Sequence, residues 1–160
     1  MLIAKLAKEH DKSGFDCENE ALNRFIRQQA SQLLKRHETV IYGAIDNDRL
    51  TGFYTLSACQ IMQSDDTELL KRQSPHSPIG CVLLGRLAVD KAYQGHGLGA
   101  DLLLHAMQTA KKLSQMMGLA YVIVDAKDDT AKAFYERFGF VELSQHPLRL
   151  CYAIKDIPNF

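Results

Sequence analysis

The stretch Val82 to Gly99, VLLGRLAVDKAYQGHGLG, constrains the fold more than any other part of the chain. Val82, Leu83 and Leu84 open it as an apolar run that then alternates through Leu87 and Val89, the pattern of a strand. It closes with Gln94, Gly95, His96, Gly97, Leu98 and Gly99, and a long amphipathic segment follows. The glycines therefore join a strand to a helix. Such a turn aims backbone N–H groups at one point, at the positive end of the helix dipole, where a phosphate is the natural occupant. Glycine suits it because a side chain would hold the phosphate off the backbone, and because such turns use positive φ. Two common phosphate loops do not fit. The P-loop needs Lys and Ser or Thr after its second glycine, whereas Leu98 and Gly99 follow Gly97. The dinucleotide fingerprint is G-x-G-x-x-G, whereas Gly95 to Gly99 reads G-x-G-x-G. For a bare glycine run, a tight turn with no ligand remains the alternative.

A chain of 160 residues is expected to form one domain over 1–160, and 46% apolar residues suffice for one core. Zero net charge means that a nucleic-acid partner must be met by a local patch rather than by the whole surface. Cys17, Cys59, Cys81 and Cys151 form no C-x-x-C pair, so no metal is expected, and Cys59 and Cys81 read as small core residues. Met1-Leu2-Ile3 is too short for a signal peptide and no run reaches membrane-spanning length. A soluble cytoplasmic protein without a membrane partner is expected.

In order, Leu2 to Leu6 reads as a first strand and His10 to Cys17 as a loop. A helix begins near Glu18, with Leu22, Phe25, Ile26, Ala30, Leu33 and Leu34 on its apolar face and Arg24, Arg27, Gln28, Ser31 and Lys35 opposite. Thr39–Ile45 and Leu50–Ile61 form a hairpin about Asp46-Asn47-Asp48, with a bulge or close backbone contact at Gly52. Gln63 to Pro78 is a polar connector with a short helix over Thr67–Arg72. After the glycine turn, a helix runs from Gly97 to Met117, burying Leu98, Leu102, Ala106, Ala110, Leu113 and Met117, and Gly118 ends it. Leu119–Val124 is a strand, Thr130–Phe138 a helix capped by Asp128 or Asp129 and closed by Gly139, and Phe140–Leu143 and Leu148–Ile154 the last strands. This order implies an α/β (mixed α+β) fold, a twisted mixed sheet flanked by helices.

The order Q-x-x-G-x-G at Gln94, Gly97 and Gly99, after a strand ending Leu87-Ala88-Val89, resembles the acetyl-CoA loop of the GNAT (Gcn5-related) N-acetyltransferases. A second cluster, DAKDDTAKAFYERFGF over Asp125 to Phe140, resembles the family's N-x-x-A-x-x-x-Y-x-x-x-G-F at Asp128, Ala131, Tyr135, Gly139 and Phe140, with Asp128 where asparagine is usual. The resemblance spans Val82 to Phe140 and implies a GNAT fold with splayed parallel strands ending near Val89 and Asp125. It implies that pantetheine bonds to the backbone of Leu87 and Val89, beside Ala88, and that the pyrophosphate sits on Gly95, His96, Gly97, Leu98, Gly99 and Ala100, next to Gln94. Asp128, Ala131 and Phe134 complete the implied cofactor contacts, and Tyr135 is the implied general acid at the thioester sulfur.

The implied reaction moves an acetyl group from sulfur to nitrogen. A free α-amine has a pKa of ~8, so no strong dedicated base is needed. A strand N–H near Val89 is the simplest oxyanion donor. Within the family the chain looks most like the tRNA-acetylating toxins of bacterial toxin–antitoxin pairs, through LLGRLAVDKAYQGHGLG, DAKDDTAKAFYERFGF and the early Phe15, Cys17, Leu22 and Phe25. His96 stands where arginine is common in that group. That likeness implies aminoacyl-tRNA as acceptor, a ribbon-helix-helix antitoxin, and a homodimer. Arg24, Arg27, Lys35, Arg36, Arg86 and Lys91 are the candidate phosphate contacts. The alternatives are acetylation of a protein amine or small metabolite, and a non-catalytic module that binds acetyl-CoA.

Overall fold

The computed structural model describes residues 1–159. Its strands are β1 (Leu2–Lys5), β2 (Val40–Asp46), β3 (Arg49–Ile61), β4 (Ile79–Val89), β5 (Tyr121–Asp125), β6 (Val141–Leu143) and β7 (His146–Ala153). They form one sheet in the order β1-β2-β3-β4-β5-β7-β6. The α-helices are α1 (Glu20–Arg24), α2 (Ala30–Lys35), α3 (Leu98–Leu113) and α4 (Asp129–Arg137). The sheet is mixed, as expected: β4 and β5 run parallel, while β1–β2, β2–β3, β5–β7 and β6–β7 are antiparallel. Contacts divide the chain into two compact units, Met1–Ser57 with Gly85–Ala106, and Ala58–Leu84 with Met107–Phe160.

In the first unit, β2 and β3 are joined by Asn47 and Asp48, both with positive φ (50° and 63°). Two left-handed residues give the turn the twist that the flanking strands need. The register shifts where Ala44 faces Gly52 and Ile45 faces Leu50, so the bulge expected near Gly52 is present. A Cβ on Gly52 would lie 3.2 Å from the Ala88 carbonyl oxygen, so the glycine also permits a close approach to β4. The helix expected from Glu18 starts at Glu20, because Asn19 accepts from Leu22 N at 3.1 Å as its N-cap. It runs to Lys35, but Phe25–Gln29 is π-helical. With that widened turn, Phe25, Ile26 and Ala30 are all buried with Phe15, Ile41, Leu50, Phe53 and Ala88.

In the second unit, Cys81, Val82, Leu83 and Leu84 of β4 pair with Tyr121, Val122, Ile123 and Val124 of β5. The core there gathers Ile61, Leu70, Ile79, Cys81, Ile123, Leu143 and Cys151. Two expectations fail locally. The helix expected over 97–117 ends at Leu113. Ser114 Oγ donates to the Lys111 carbonyl at 2.6 Å, and Gln115 N turns to the Lys112 carbonyl at 3.2 Å instead. Met117 is consequently 55% exposed rather than buried, and Gly118 is not among the positive-φ glycines. The short helix expected over Thr67–Arg72 is a run of turns. One α-type bond, Leu70 N to the Asp66 carbonyl, forms there. The Gln63 amide donates to the carbonyls of Leu70, Lys71 and Gln73, which holds this stretch in an irregular path. Among the described residues, no helix is long and apolar enough to cross a membrane.

Candidate functional site

The glycine stretch lies in the first unit. Pairing of β4 with β5 ends at Leu84, and β4 continues through Gly85–Val89. Leu87 and Val89 are half-buried and Ala88 is buried. Asp90 then anchors the turn from a buried position. Its carboxylate accepts from Ala92 N at 2.9 Å and Asp16 N at 3.1 Å, and pairs with Arg49 at 3.5 Å. Its own N–H donates to the Thr51 carbonyl at 2.8 Å. Lys91–Tyr93 forms a 3-10 turn, and Tyr93 donates its hydroxyl to Asp46 at 2.9 Å. Gln94 Nε2 donates to the Val89 carbonyl at 2.9 Å, closing the turn back on its own strand.

Gly95 and Gly97 have φ of +81° and +83°, and a Cβ on either would meet no protein atom within 4 Å. The backbone conformation, rather than crowding, therefore demands glycine, and the space beyond both is open. Gly95, His96 and Gly97 are exposed, while Leu98 is buried at the start of α3. Asp101 N donates to the Gly97 carbonyl at 3.1 Å. The N–H groups of Leu98, Gly99 and Ala100 precede that bond and have no intrahelical acceptor. With the helix dipole, they make this end of α3 suited to an anion.

The second cluster lies in the second unit. Asp128 is the N-cap of α4, accepting from Ala131 N at 2.8 Å, which decides between the two aspartates. Its side chain thus has a helix-capping role at the position where the family usually has asparagine. Gly139 closes α4 with φ +95°. Tyr135 is buried between aromatic neighbours, with ring centroids 5.3 Å from Phe134 and 5.7 Å from Phe140. Its hydroxyl takes no hydrogen bond from the described residues. No buried side-chain oxygen or nitrogen is left unpartnered among them, so that hydroxyl is not sealed in the core. Burial pushes the phenol up to about 12. Tyr135 therefore keeps its proton at neutral pH and can give it, but cannot act as a base. Ala131 and Phe134 on the same helix are half-buried.

The basic candidates separate into two groups. Arg86 is half-buried with its guanidinium 3.7 Å from the Phe25 ring centroid, and burial lowers its pKa. Lys91 pairs with Asp16 at 3.2 Å, Arg36 with Glu38 at 3.9 Å, and Arg27 donates to the Phe15 carbonyl. Arg24 and Lys35 are exposed and make no ion pair with the described residues. Sequence reading missed Asp90 and the buried Asn23, which accepts from Cys17 N at 2.9 Å and donates to Asp16 at 3.0 Å. The signal for Asp90 was present: an aspartate ending an apolar strand just before the glycine run is a capping pattern. Among the described residues, no group of three or more His, Cys, Asp or Glu is arranged to hold a metal ion.

Comparison with known proteins extends over nearly the whole chain. A tRNA-acetylating toxin of Mycobacterium tuberculosis (strain ATCC 25618 / H37Rv) is 30% identical over 152 residues, 95% of this chain and 91% of the toxin. The structure of AtaT complexed with acetyl-methionyl-tRNAfMet is 29% identical and superposes with a TM-score of 0.91, covering 98% of this chain and 96% of that one. A tyrosine-to-phenylalanine AtaT mutant bound to the C-terminus of the antitoxin AtaR and acetyl-CoA is 28% identical, with a TM-score of 0.84 over 98% of this chain and 94% of that one. The acetyltransferase (GNAT) family profile matches residues 3–140. With that match over most of the chain and a strand, glycine turn and helix in succession, this chain belongs to the GNAT acetyltransferase family.

Proposed function

We propose that this protein is an acetyl-CoA-dependent N-acetyltransferase of the toxin type, which acetylates the α-amine of aminoacyl-tRNA and so blocks translation. Similarity to a tRNA-acetylating toxin along 95% of the chain is the observation that carries this reading. The residues present fit acetyl-CoA: open glycines at Gly95 and Gly97 and the free N–H groups of Leu98 to Ala100 suit its pyrophosphate. The extended backbone at Leu87–Val89 suits its pantetheine as an added strand. Acetyl-CoA supplies the activated thioester, and the chain supplies positioning and a proton. A backbone N–H near Val89 stabilises the oxyanion. The α-amine, with a pKa of ~8, attacks as the neutral species without a dedicated base. Tyr135 offers its hydroxyl proton to the departing sulfur, whose free thiol titrates at about 8.5. Proton transfer from a phenol held near 12 is uphill, so its first contribution is a hydrogen bond that strengthens as charge grows on sulfur.

We assign the phosphate contacts of the acceptor first to Arg24 and Lys35, the two basic candidates that internal pairing leaves available. A ribbon-helix-helix antitoxin, a homodimer, a single functional domain over 1–160 and a cytoplasmic location complete the proposal. The test offers labelled acetyl-CoA to total charged tRNA beside the same tRNA stripped of amino acids. Label is expected only in the charged pool, as N-acetyl-aminoacyl-tRNA. Equal labelling of both pools, or none while a polyamine or peptide is acetylated, overturns the acceptor assignment.

A further inference from the structure

We propose that Cys59 is a site of reversible oxidation by peroxide, with Cys81 as the thiol that resolves it into a disulfide. Strands β3 and β4 are neighbours in the sheet. A side chain at Gly85 would lie 3.2 Å from Thr55 Oγ1, so these residues face one another. Cys59 lies four residues after Thr55 on β3, and Cys81 four residues before Gly85 on β4. Cys59 packs against the apolar cluster that holds Cys81, while the Cys81 thiol donates to the Ile79 carbonyl at 3.4 Å. The Asp90 N–H donates to the Thr51 carbonyl at 2.8 Å, and this contact and the Thr55–Gly85 approach step in opposite senses, as in an antiparallel pair. Counting on four residues from Thr55 and back four from Gly85 brings Cys59 across from Cys81. Directly opposed Cβ atoms are typically ~4.5–5.5 Å apart and a disulfide needs about 3.5–4.5 Å, so a small local shift closes the bond.

The two thiols are unequal in a way that assigns their roles. Cys59 is half-buried at the margin of the apolar cluster that encloses Cys81 and Cys151, so a small oxidant reaches it. Cys81 is fully buried. The neighbouring Cys81 thiol, helped by the positive charge of Arg149, holds the Cys59 thiol below its ordinary value against desolvation and the Asp125 carboxylate. The adjoining Cys59 and burial push the Cys81 thiol up. The thiolate is the nucleophile, so Cys59 attacks first.

The steps balance. The Cys59 thiolate attacks one peroxide oxygen, the O–O bond breaks, and the departing hydroxide takes up a proton to leave as water. Cys59 is now a sulfenic acid, oxidised by two electrons. The Cys59 charge that added to burial in keeping Cys81 protonated has gone. Cys81 sulfur attacks the Cys59 sulfur, the S–O bond breaks, and the hydroxide leaves as water with the Cys81 proton. Two thiols have lost two hydrogens and one peroxide has become two waters. A link between β3 and β4 here sits in the segment of β4 that pairs with β5, just before the strand continues to the glycine turn.

The test treats the 160-residue chain with hydrogen peroxide, blocks free thiols after denaturation, and maps the peptides by mass. Cys59 and Cys81 are expected to lose alkylation together, to appear in one linked peptide two hydrogens lighter than its parts, and to recover with dithiothreitol. In Cys81→Ala, Cys59 is expected to stop at the sulfenic acid and be trapped by dimedone. In Cys59→Ser, Cys81 is expected to keep full alkylation. Oxidation of half-buried Cys17 at a peroxide dose that leaves Cys59 untouched overturns the proposal, as does Cys59 linked between two copies of the chain. Should Cys81→Ala fail to fold, the wild-type linked peptide decides alone.

Discussion

Replacing Tyr135 by Phe removes one hydroxyl and keeps the ring between Phe134 and Phe140. That hydroxyl makes no hydrogen bond with the described residues, so at neutral pH its loss is expected to change stability by less than ~1 kcal/mol. Its removal from the reaction is expected to lower turnover by ~10²–10⁴-fold, about 3–5 kcal/mol of barrier, with acetyl-CoA affinity nearly unchanged. The same substitution has an alkaline signature. Burial raises the phenol from 10.0 to about 12, so the folded state holds this proton more tightly than the unfolded state does. The associated stability is intact below pH 10 and is lost as pH rises from 10 towards 12. The full loss, approached only beyond that window, is about 3 kcal/mol. Urea melts of wild type and Tyr135→Phe, run between pH 9 and 11.5, cancel the shared titrations of lysines and the other tyrosines. The wild type is expected to lose stability relative to the variant by about 2 kcal/mol at the upper end. Turnover within a factor of two of wild type refutes the proton-donor role. Parallel alkaline loss in both proteins refutes the desolvated hydroxyl.

Gly97→Glu is expected to abolish acetyl-CoA binding, because the carboxylate enters the open phosphate space and a side chain at φ +83° strains the turn. Unchanged affinity by calorimetry in a folded variant would sink the loop assignment. Asp128→Ala should cost ~1 kcal/mol through the lost N-cap of α4, and Asp128→Asn should recover most of it; equal melts for all three would remove the cap argument. Arg24→Glu with Lys35→Glu should weaken use of charged tRNA and flatten its log–log salt dependence by ~0.7–0.9 per lost phosphate contact, leaving acetyl-CoA binding intact. An unaltered salt slope would move the tRNA surface elsewhere.

Where local chemistry decides, the sequence was legible. The alternation into Val89, the glycines at 95–99 and the periodic run beyond them are each local signals, and β4, the turn and α3 follow them. The same holds for Asp128 and Gly139 at the two ends of α4. Failures occurred where a side chain from outside the local pattern intervened. Ser114 takes a carbonyl that α3 needs, and periodicity does not register a hydroxyl. Gln63 reaches seven to ten residues ahead to occupy carbonyls in the connector. The π-helical turn at Phe25–Gln29 arises where Phe25 and Ile26 must both enter one core, which is a tertiary demand.

The site divides along the same line. Composition marks a lysine or arginine as a charge, but whether that charge is available depends on its neighbours. Arg86 reads as a phosphate ligand from its place beside the strand end, yet it lies over Phe25 and its desolvation is already partly fixed by folding. Lys91 follows the strand directly, yet Asp16, seventy-five residues earlier, has claimed it at 3.2 Å. Asp16 in turn accepts from Asn23 and, through its backbone N–H, ties to Asp90, so Lys91 belongs to the scaffold that shapes the glycine turn. Removing Lys91 would therefore disturb cofactor and acceptor binding together, whereas Arg24 and Lys35 can be reversed without breaking an ion pair among the described residues. An acceptor effect confined to those two, with cofactor affinity constant, separates recognition of the nucleic acid from integrity of the loop.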